Sequence, residues 1–161
     1  MREDDEFKDG LKQALAKLRT GDRFAKEIED LLLRKGISVE TTHDVVSYLI
    51  ERRFVDDRRT IDNAVARRSG KRAIGKELLR AELMKRGAPE SLLEEALAAV
   101  PAEEEPSGAL ALLRARYGSG GARDRTARAR AARYLASKGY ELEVVDGALE
   151  AFFGSVDEVV D

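Results

Sequence analysis

The stretch that decides the fold runs from Asp44 to Val100 and reads DVVSYLIERRFVDDRRTIDNAVARRSGKRAIGKELLRAELMKRGAPESLLEEALAAV. Within it, a Leu-rich tract stops abruptly at Gly87. The same kind of stop occurs twice more, where IEDLLLRKG ends at Gly36 and where RAARYLASKG ends at Gly139. A Gly that follows a basic residue is the usual end of a helix. Three such stops, roughly fifty residues apart, predict three copies of one small helical unit.

Apolar residues keep the same register around the three glycines. Four residues before each glycine the sequence has Leu32, Leu83 and Leu135. Eight residues before it has Ile28, Leu79 and Ala131, and ten residues after it has Val46, Leu97 and Leu149. These are the positions that a three-helix unit needs to bury. No stretch shows a sustained alternation of apolar and polar residues. We therefore predict an all-α protein with nine helices in three tandem three-helix repeats.

The repeats are assigned to residues 1–55, 56–100 and 106–154, with an acidic linker at 101–105 and an acidic tail at 155–161. Asp22 and Asp57 are expected to cap helices, Ser38 to open the third helix of the first repeat, and Pro89 to start the last helix of the second. Val45, Val46, Leu49 and Ile50 are expected to form the inner face of one helix. Gly118 to Gly121 is interpreted as a flexible loop.

The composition excludes several classes of protein. The chain has 161 residues, of which 43% are hydrophobic and 37% charged, which favours an elongated, well-solvated shape over one large core. There is no Cys, which excludes disulfides, thiolate catalysis and Cys-ligated zinc. The start, MREDDEF, has no apolar segment, and no later run is long enough to cross a bilayer. We expect a soluble, cytoplasmic protein.

Charge is segregated along the chain although the formal net charge is only −2. From Arg58 to Arg80, eight basic residues accompany only Asp62 and Glu77, and from Arg114 to Lys138 the only acid is Asp124. Either the basic side chains simply solubilise outer helix faces, or one surface meets an anionic partner. The candidate contact residues are Arg67, Arg68, Lys71, Arg72, Lys76 and Arg80 in the second repeat, and Arg123, Arg125, Arg128, Arg130 and Arg133 in the third.

Catalytic, metal and cofactor sites are not predicted. His43 is the only histidine and is interpreted as an exposed residue, because a catalytic triad needs several partners that the sequence does not place near it. Asp56 and Asp57 are interpreted as helix caps rather than as metal ligands. The glycine loop that begins at Gly118 has no preceding strand and no following Lys-Ser or Lys-Thr, so it matches no phosphate-binding fingerprint.

Two longer segments resemble the core signature of the RecX family, bacterial regulators of the RecA recombinase. The segments are YLIERRFVDDRR and RRSGKRAIGKELLRAELMKRGAPESLLEEAL, and weaker similarity extends over IEDLLLRKG and RARAARYLASKGYELEVVDGAL. Three departures are visible: Arg53 stands where the family usually has Gly, Thr60-Ile61 replaces an aromatic-Ala pair, and Gly118 to Gly121 replaces a more polar spacer.

The resemblance implies a small, curved, all-helical monomer without catalytic residues. Such a protein binds within the groove of a RecA filament on DNA, inhibits its activity and contacts DNA weakly. The alternative is a helical-repeat module that binds nucleic acid on its own. Such a module would be expected to carry a basic net charge and aromatic side chains for stacking, whereas only Tyr117 lies near the glycine loop in a basic setting. Affinity for DNA with and without RecA distinguishes the two hypotheses.

Overall fold

The computed structural model describes residues 3–118 and 124–154. Across these residues the chain is all-helical, as predicted, with nine α-helices and no strand. The helices are α1 (Glu3–Leu18), α2 (Ala25–Arg34), α3 (Val39–Glu51), α4 (Asp57–Ala66), α5 (Lys76–Arg86), α6 (Glu90–Ala98), α7 (Glu104–Tyr117), α8 (Arg125–Ser137) and α9 (Leu142–Phe153). A short 3₁₀ turn, Gly70–Arg72, which the sequence analysis did not predict, lies between α4 and α5.

The three glycine stops have the same backbone geometry. Gly36, Gly87 and Gly139 have φ values of 84°, 101° and 86°, in the left-handed region that favours glycine. The backbone N–H of the residue that follows each glycine donates to the carbonyl of the leucine five residues before that residue. The N–O distances are 3.1, 3.0 and 3.3 Å. This is the Schellman arrangement, which pairs carbonyls that a helix end otherwise leaves without donors. The predicted C-terminal glycines are therefore confirmed.

The repeated apolar register is also confirmed, with one correction. The leucines four residues before the glycines and the apolar residues eight before are all buried. Ten residues after the glycines, Leu97 and Leu149 are buried but Val46 is only half-buried. The fully equivalent buried positions come one residue earlier, at Val45, Ala96 and Ala148.

The chain forms two compact units. The first contains the described residues up to Asn63 together with Leu83–Leu93, and the second contains Ala64–Glu82 together with the described residues from Glu94 onward. The second repeat thus contributes to both units. The repeat boundaries at residues 55, 100 and 105 remain predictions. α7 begins at Glu104, so the last two residues of the predicted linker belong to that helix.

In the first compact unit, α1, α2 and α3 pack on one another around a core of Ala14, Ile28, Leu32, Ile37, Val45, Leu49 and Val55. Gly87 packs against the start of α2, where a Cβ atom on Gly87 would lie 2.8 Å from the Cβ of Lys26. The preceding Arg86 donates to the carbonyl of Asp22 and to the carboxylate of Glu27, both at 3.0 Å. The glycine stop of the second repeat is therefore fixed to the second helix of the first.

In the second compact unit, α9 packs on α7 and α8, and the 3₁₀ turn packs on α7. The core consists of Ala73, Ala109, Leu112, Leu113, Ala131, Leu135, Tyr140, Val145, Ala148, Leu149 and Phe153. Gly139 packs against the start of α5, and a Cβ atom there would overlap Leu78. The stop of the third repeat thus contacts the second helix of the preceding repeat, as Gly87 does in the first compact unit.

The capping predictions were partly wrong. Ser38 caps α3 as predicted, accepting the Thr41 N–H at 3.2 Å. Asp22 does not cap α2, because the helix begins at Ala25 and the N-cap position is occupied by Phe24. The Asp22 carboxylate instead accepts a hydrogen bond from the Asn63 amide at 2.7 Å. Pro89 immediately precedes α6, close to its predicted place at the start of that helix.

The Asp-Asp pair serves two helices rather than one. Asp56 caps α4 by accepting the Arg59 N–H at 3.0 Å. Asp57, which was expected to cap α4, accepts the N–H of Ala25 at the start of α2, at 2.8 Å. The interpretation of the pair as helix caps is confirmed, while the assignment of Asp57 to α4 is wrong. A contact between residues 32 positions apart in the sequence has no local signal.

One predicted buried residue is exposed, and two predictions cannot be located. Ile50 was expected on the inner face of α3 but is 49% exposed. Gly118 follows α7 at a φ of 71°, whereas the remainder of the predicted glycine loop and the tail from 155 to 161 fall outside the described residues. Among the helices described, none combines the length and apolar character required to span a membrane.

Candidate functional site

The predicted basic cluster of the second repeat is divided by a buried ion pair. The Arg68 side chain is only 6% exposed, and its Nη1 donates to Glu105 Oε1 at 2.7 Å and to the Ile74 carbonyl at 3.1 Å. Glu105, near the start of α7, is itself buried. Arg68 was predicted to contact a partner, but in the structure it holds the segment after α4 against α7. It is therefore not part of an accessible surface.

Burial around this pair extends to Tyr140. Desolvation, and secondarily the negative charge of Glu105, raises the pKa of the Tyr140 hydroxyl to about 12. The hydroxyl therefore stays protonated at neutral pH. The region around Arg68, Glu105 and Tyr140 is a packed interior of the second compact unit rather than a binding surface.

Arg80 is also engaged within the protein. Its Nε donates to Glu94 Oε1 at 2.6 Å, Nη2 donates to Glu94 Oε2 at 3.1 Å, and Nη1 donates to Glu77. These hydrogen bonds raise the pKa of the guanidinium further above its already high value. Of the remaining predicted residues in the second repeat, Arg67, Lys71 and Arg72 are exposed and Lys76 is half-buried. Lys71 and Arg72 both lie on the 3₁₀ turn.

The predicted residues of the third repeat lie mainly on α8. Arg125, Arg130 and Arg133 are exposed. Arg128 is half-buried and donates to the carbonyl of Gly154 at 2.9 Å, which ties α8 to the end of α9. Arg123 lies outside the described residues. The accessible part of this predicted set is therefore concentrated on one helix.

An aromatic residue lies among these basic side chains. Arg130, Tyr134 and Lys138 follow one another at four-residue steps, which places them on one face of α8 and its end. The Arg116 Cζ from α7 lies 4.3 Å from the centroid of the Tyr134 ring, and the Lys138 Nζ lies 5.8 Å from it. With the exposed Arg133, these residues form what we call the Tyr134 surface, namely Arg116, Arg130, Arg133, Tyr134 and Lys138.

Tyr117, which the sequence analysis noted in a basic setting, and Tyr134 have different surroundings. Tyr117 packs against Phe152 and Phe153, with both centroid distances 6.3 Å, and so belongs to the edge of the core. Tyr134 is half-buried beside the same core and carries two cations over its ring. The Arg130-Tyr134-Lys138 spacing could have been found in the sequence. The contribution of Arg116 depends on how α7 and α8 pack and has no local signal.

The Tyr134 surface combines two kinds of recognition chemistry. Arg and Lys attract phosphate or carboxylate groups, and a tyrosine ring bounded by cations can stack with a base or contact an apolar side chain. Among the described residues, Arg130 and Arg133 form no ion pair with an acidic side chain. Within the described part of the chain, their charge is thus not neutralised by a neighbouring carboxylate. This arrangement suits a partner that carries negative charge.

Side chains that could ligate a metal ion are not clustered within residues 3–118 and 124–154. No group of three or more His, Asp or Glu side chains in these residues could hold a metal ion. His43 is exposed on α3, as predicted. The fold and the Tyr134 surface therefore define a class: an all-helical protein of three-helix repeats with a basic, aromatic surface on its third repeat.

Comparison with known proteins identifies the family. Residues 103–149 match the family model described as RecX, third three-helix domain. The chain is 31% identical over 119 residues to Regulatory protein RecX of Amycolatopsis mediterranei, covering 73% of this chain and 68% of that protein. It is 32% identical over 150 residues to the protein of the same name from Geobacillus kaustophilus, covering 90% of this chain. The chain belongs to the RecX family of regulatory proteins.

The fold agrees with a solved structure from this family. The crystal structure of RecX from Lactobacillus salivarius superposes with a TM-score of 0.76 and 21% sequence identity, covering 92% of this chain and 97% of that one. The chain spans about half the length of the curated relatives from Chlorobium limicola and Geobacillus kaustophilus, 49% and 54% respectively. It spans 40% of a further relative from another Geobacillus strain. The all-helical fold is thus shared with that structure, whereas the similarity to these curated relatives extends over only part of their length.

Proposed function

We propose that this protein binds the RecA filament and its DNA and lowers the recombinase, ATPase and coprotease activities of RecA. It acts in the cytoplasm as a monomer, in DNA repair and recombination, and works by binding alone. The observation that carries the proposal is membership of the RecX family, whose members, by the resemblance set out above, regulate RecA. The anionic partner is either an acidic surface of the filament groove or the DNA phosphates.

The repeat architecture supports this mechanism. A RecA filament is a helical polymer, and a protein with several similar repeats can contact more than one protomer. Modest contacts then reinforce one another through effective concentration. Lys71 and Arg72 in the second repeat and the Tyr134 surface in the third are the accessible basic groups that suit such contacts. Binding through them weakens as salt increases.

A second candidate function is nucleic-acid binding without RecA. The observation that favours it is the Tyr134 surface, because an aromatic ring among basic side chains is the usual platform for single-stranded nucleic acid. The overall charge of −2 weakens this candidate, since unspecific nucleic-acid binders are normally basic.

The test titrates the protein into RecA filaments and measures ATP hydrolysis and strand exchange, and separately measures affinity for single-stranded DNA with and without RecA. Two double variants remove basic contacts: Lys71→Glu/Arg72→Glu and Arg130→Glu/Arg133→Glu. The matched control is Lys8→Glu/Lys12→Glu, which reverses two exposed lysines on α1. Arg68 is left unchanged, because reversing a buried, paired charge would disturb the fold.

We expect the control to inhibit RecA as well as the parent, and at least one of the other double variants to inhibit less at an ionic strength of about 0.15 M. If both inhibit like the parent, neither basic group contacts the filament. If the parent leaves RecA activity unchanged yet binds DNA equally well without RecA, the nucleic-acid module is the correct function.

A further inference from the structure

A surface pocket of about 320 Å³ lies in the first compact unit, where α3 ends and α4 begins. Its apolar wall consists of Ala25, Ile50, Val55 and Leu92. Val55 forms a buried floor with 2% exposure, whereas Ile50 is 49% exposed. The volume is near the lower limit for ligand sites, roughly 300 Å³, and suits one or two side chains of a partner.

The chain presents further apolar surface beside this pocket. Phe54 is 50% exposed and lies between Arg53 and Val55, both of which line the pocket. Single exposed apolar residues are ordinary on protein surfaces. Ile50, however, is part of the concave apolar wall, and an exposed apolar side chain at a pocket suits an interface with a partner.

The charged side of the pocket consists of Asp56 and Asp57. Each carboxylate accepts a backbone N–H through Oδ1, from Arg59 and Ala25 respectively, and neither forms an ion pair with another described residue. The guanidinium of Arg58, which also lines the pocket, is paired with Asp62 at 3.1 Å. The pocket lining therefore carries two carboxylates that form no ion pair with a described residue, beside the guanidinium groups of Arg53 and Arg58.

The environment of Asp57 disfavours its charged form, an effect that a nearby cation would oppose. Burial raises the pKa of its carboxyl group, and the nearby negative charges of Asp56 and Glu27 act in the same direction, opposed by the hydrogen bond from Ala25. A Lys or Arg brought by a partner would stabilise both carboxylates. The two carboxylates without an ion pair and the apolar wall suit a cationic protein segment better than a phosphate group.

We propose that this pocket anchors a protein partner, namely a segment of the recombinase filament that inserts an aliphatic or aromatic side chain and places a Lys or Arg beside Asp56 and Asp57. This inference rests on the function proposed above and assigns a contact site to it. The pocket and the Tyr134 surface then have different roles, since one suits apolar and cationic groups and the other suits anionic groups.

The experiment measures binding of the full chain to preassembled RecA filaments with three variants at one position: Ile50→Ser, Ile50→Lys and Ile50→Glu. Ile50 is half-exposed, so these changes should leave the fold intact, which thermal unfolding followed by circular dichroism checks. Val39 supplies the matched control, because it lies on the same helix, is 69% exposed and does not line the pocket. The same three substitutions are made there.

We expect Ile50→Ser to weaken filament binding about tenfold, the loss of one interface anchor, while the Val39 variants bind like the parent. Ile50→Lys should bind more weakly than Ile50→Glu, because it places a positive charge where the partner brings its own. Parental binding by Ile50→Ser, or weaker binding by Ile50→Glu than by Ile50→Lys, overturns the anchor site alone. Absence of filament binding by the parent overturns the proposed function, and the anchor site with it.

Discussion

Gly75 and Gly139 lie backbone to backbone inside the second compact unit. The Gly75 N–H donates to the carbonyl of Lys138 at 2.7 Å, and a Cβ atom on Gly75 would overlap the backbone of Gly139. Gly75 is not among the residues with positive φ, so its backbone conformation is open to any residue. The need for glycine at position 75 is therefore steric, and it comes from the close approach of the start of α5 to the end of α8.

Gly75→Ala should accordingly destabilise the protein through a clash with backbone atoms that cannot rotate away. We expect a loss of at least 1–3 kcal/mol, roughly the cost of overpacking a tight site. Urea unfolding followed by circular dichroism measures it. Gly147→Ala is the control, because Gly147 lies within α9 and an added Cβ there meets no atom within 4 Å. That variant should gain about 0.4–1 kcal/mol from reduced chain entropy, and equal losses in the two variants would contradict the steric explanation.

Arg53 ends α3 in the geometry of a glycine stop. Its φ is 62°, the only positive value of a non-glycine residue in the described part of the chain, and the next N–H, that of Phe54, donates to the Leu49 carbonyl at 2.9 Å. Arg53→Gly should stabilise the protein by about 0.5–1 kcal/mol, because relief of left-handed strain exceeds the added entropy of the unfolded chain. Arg52→Gly, at a φ of −91°, should instead be destabilising. A lower urea midpoint for Arg53→Gly would show that the Arg side chain makes a stabilising contact.

Local sequence signals predicted much of this fold. Each glycine stop, the Ser38 cap and the leucines four residues before each stop depend on interactions within one or two helical turns. Such interactions leave a pattern in consecutive residues, and tandem repetition shows the pattern three times. The left-handed conformation of Arg53 was not predicted, although the resemblance showed that this position is usually Gly in the family.

Contacts between distant parts of the chain could not be predicted. Arg68 and Glu105 are 37 residues apart, and each belongs to a charged tract that looks like a solvated helix face. Asp57 and Ala25 are 32 residues apart, so the second Asp of the junction could only be assigned to the nearest helix. The candidate site changed for the same reason: packing buried Arg68, and it brought Arg116 from another helix over Tyr134.

The buried Arg68–Glu105 pair gives a prediction about stability. Removal of one partner, as in Arg68→Met or Glu105→Leu, leaves a buried charge with only longer contacts, such as 3.8 Å from Arg68 to Glu104 or 3.4 Å from the Lys76 N–H to Glu105. Each change should cost up to about 3–5 kcal/mol. The double variant should recover most of this loss, because two apolar side chains fill the site without any buried charge. The control is the pair of Arg80 and Glu94, whose side chains are 32% and 46% exposed. Because solvent weakens an ion pair, Arg80→Met should cost at most about 1 kcal/mol. Additive losses in the Arg68/Glu105 double variant would show that the pair is not coupled.

The hydrogen bonds accepted by the Glu6 carboxylate should make the stability of the protein depend on pH. The Ser38 N–H donates to the Glu6 carboxylate at 2.6 Å and the Thr41 hydroxyl donates at 3.1 Å, and these bonds, led by that from Ser38, lower the pKa of the carboxyl group below its ordinary value of about 4.5. Because the folded state favours the charged form, the stabilisation is fully present above the unfolded pKa and is lost as the pH falls through the folded pKa. Urea midpoints between pH 7 and pH 3 should therefore fall more steeply for the parent than for Glu6→Gln, whose amide cannot titrate. Parallel pH profiles for the two proteins would mean that the bond between α1 and the start of α3 does not depend on the charge of Glu6.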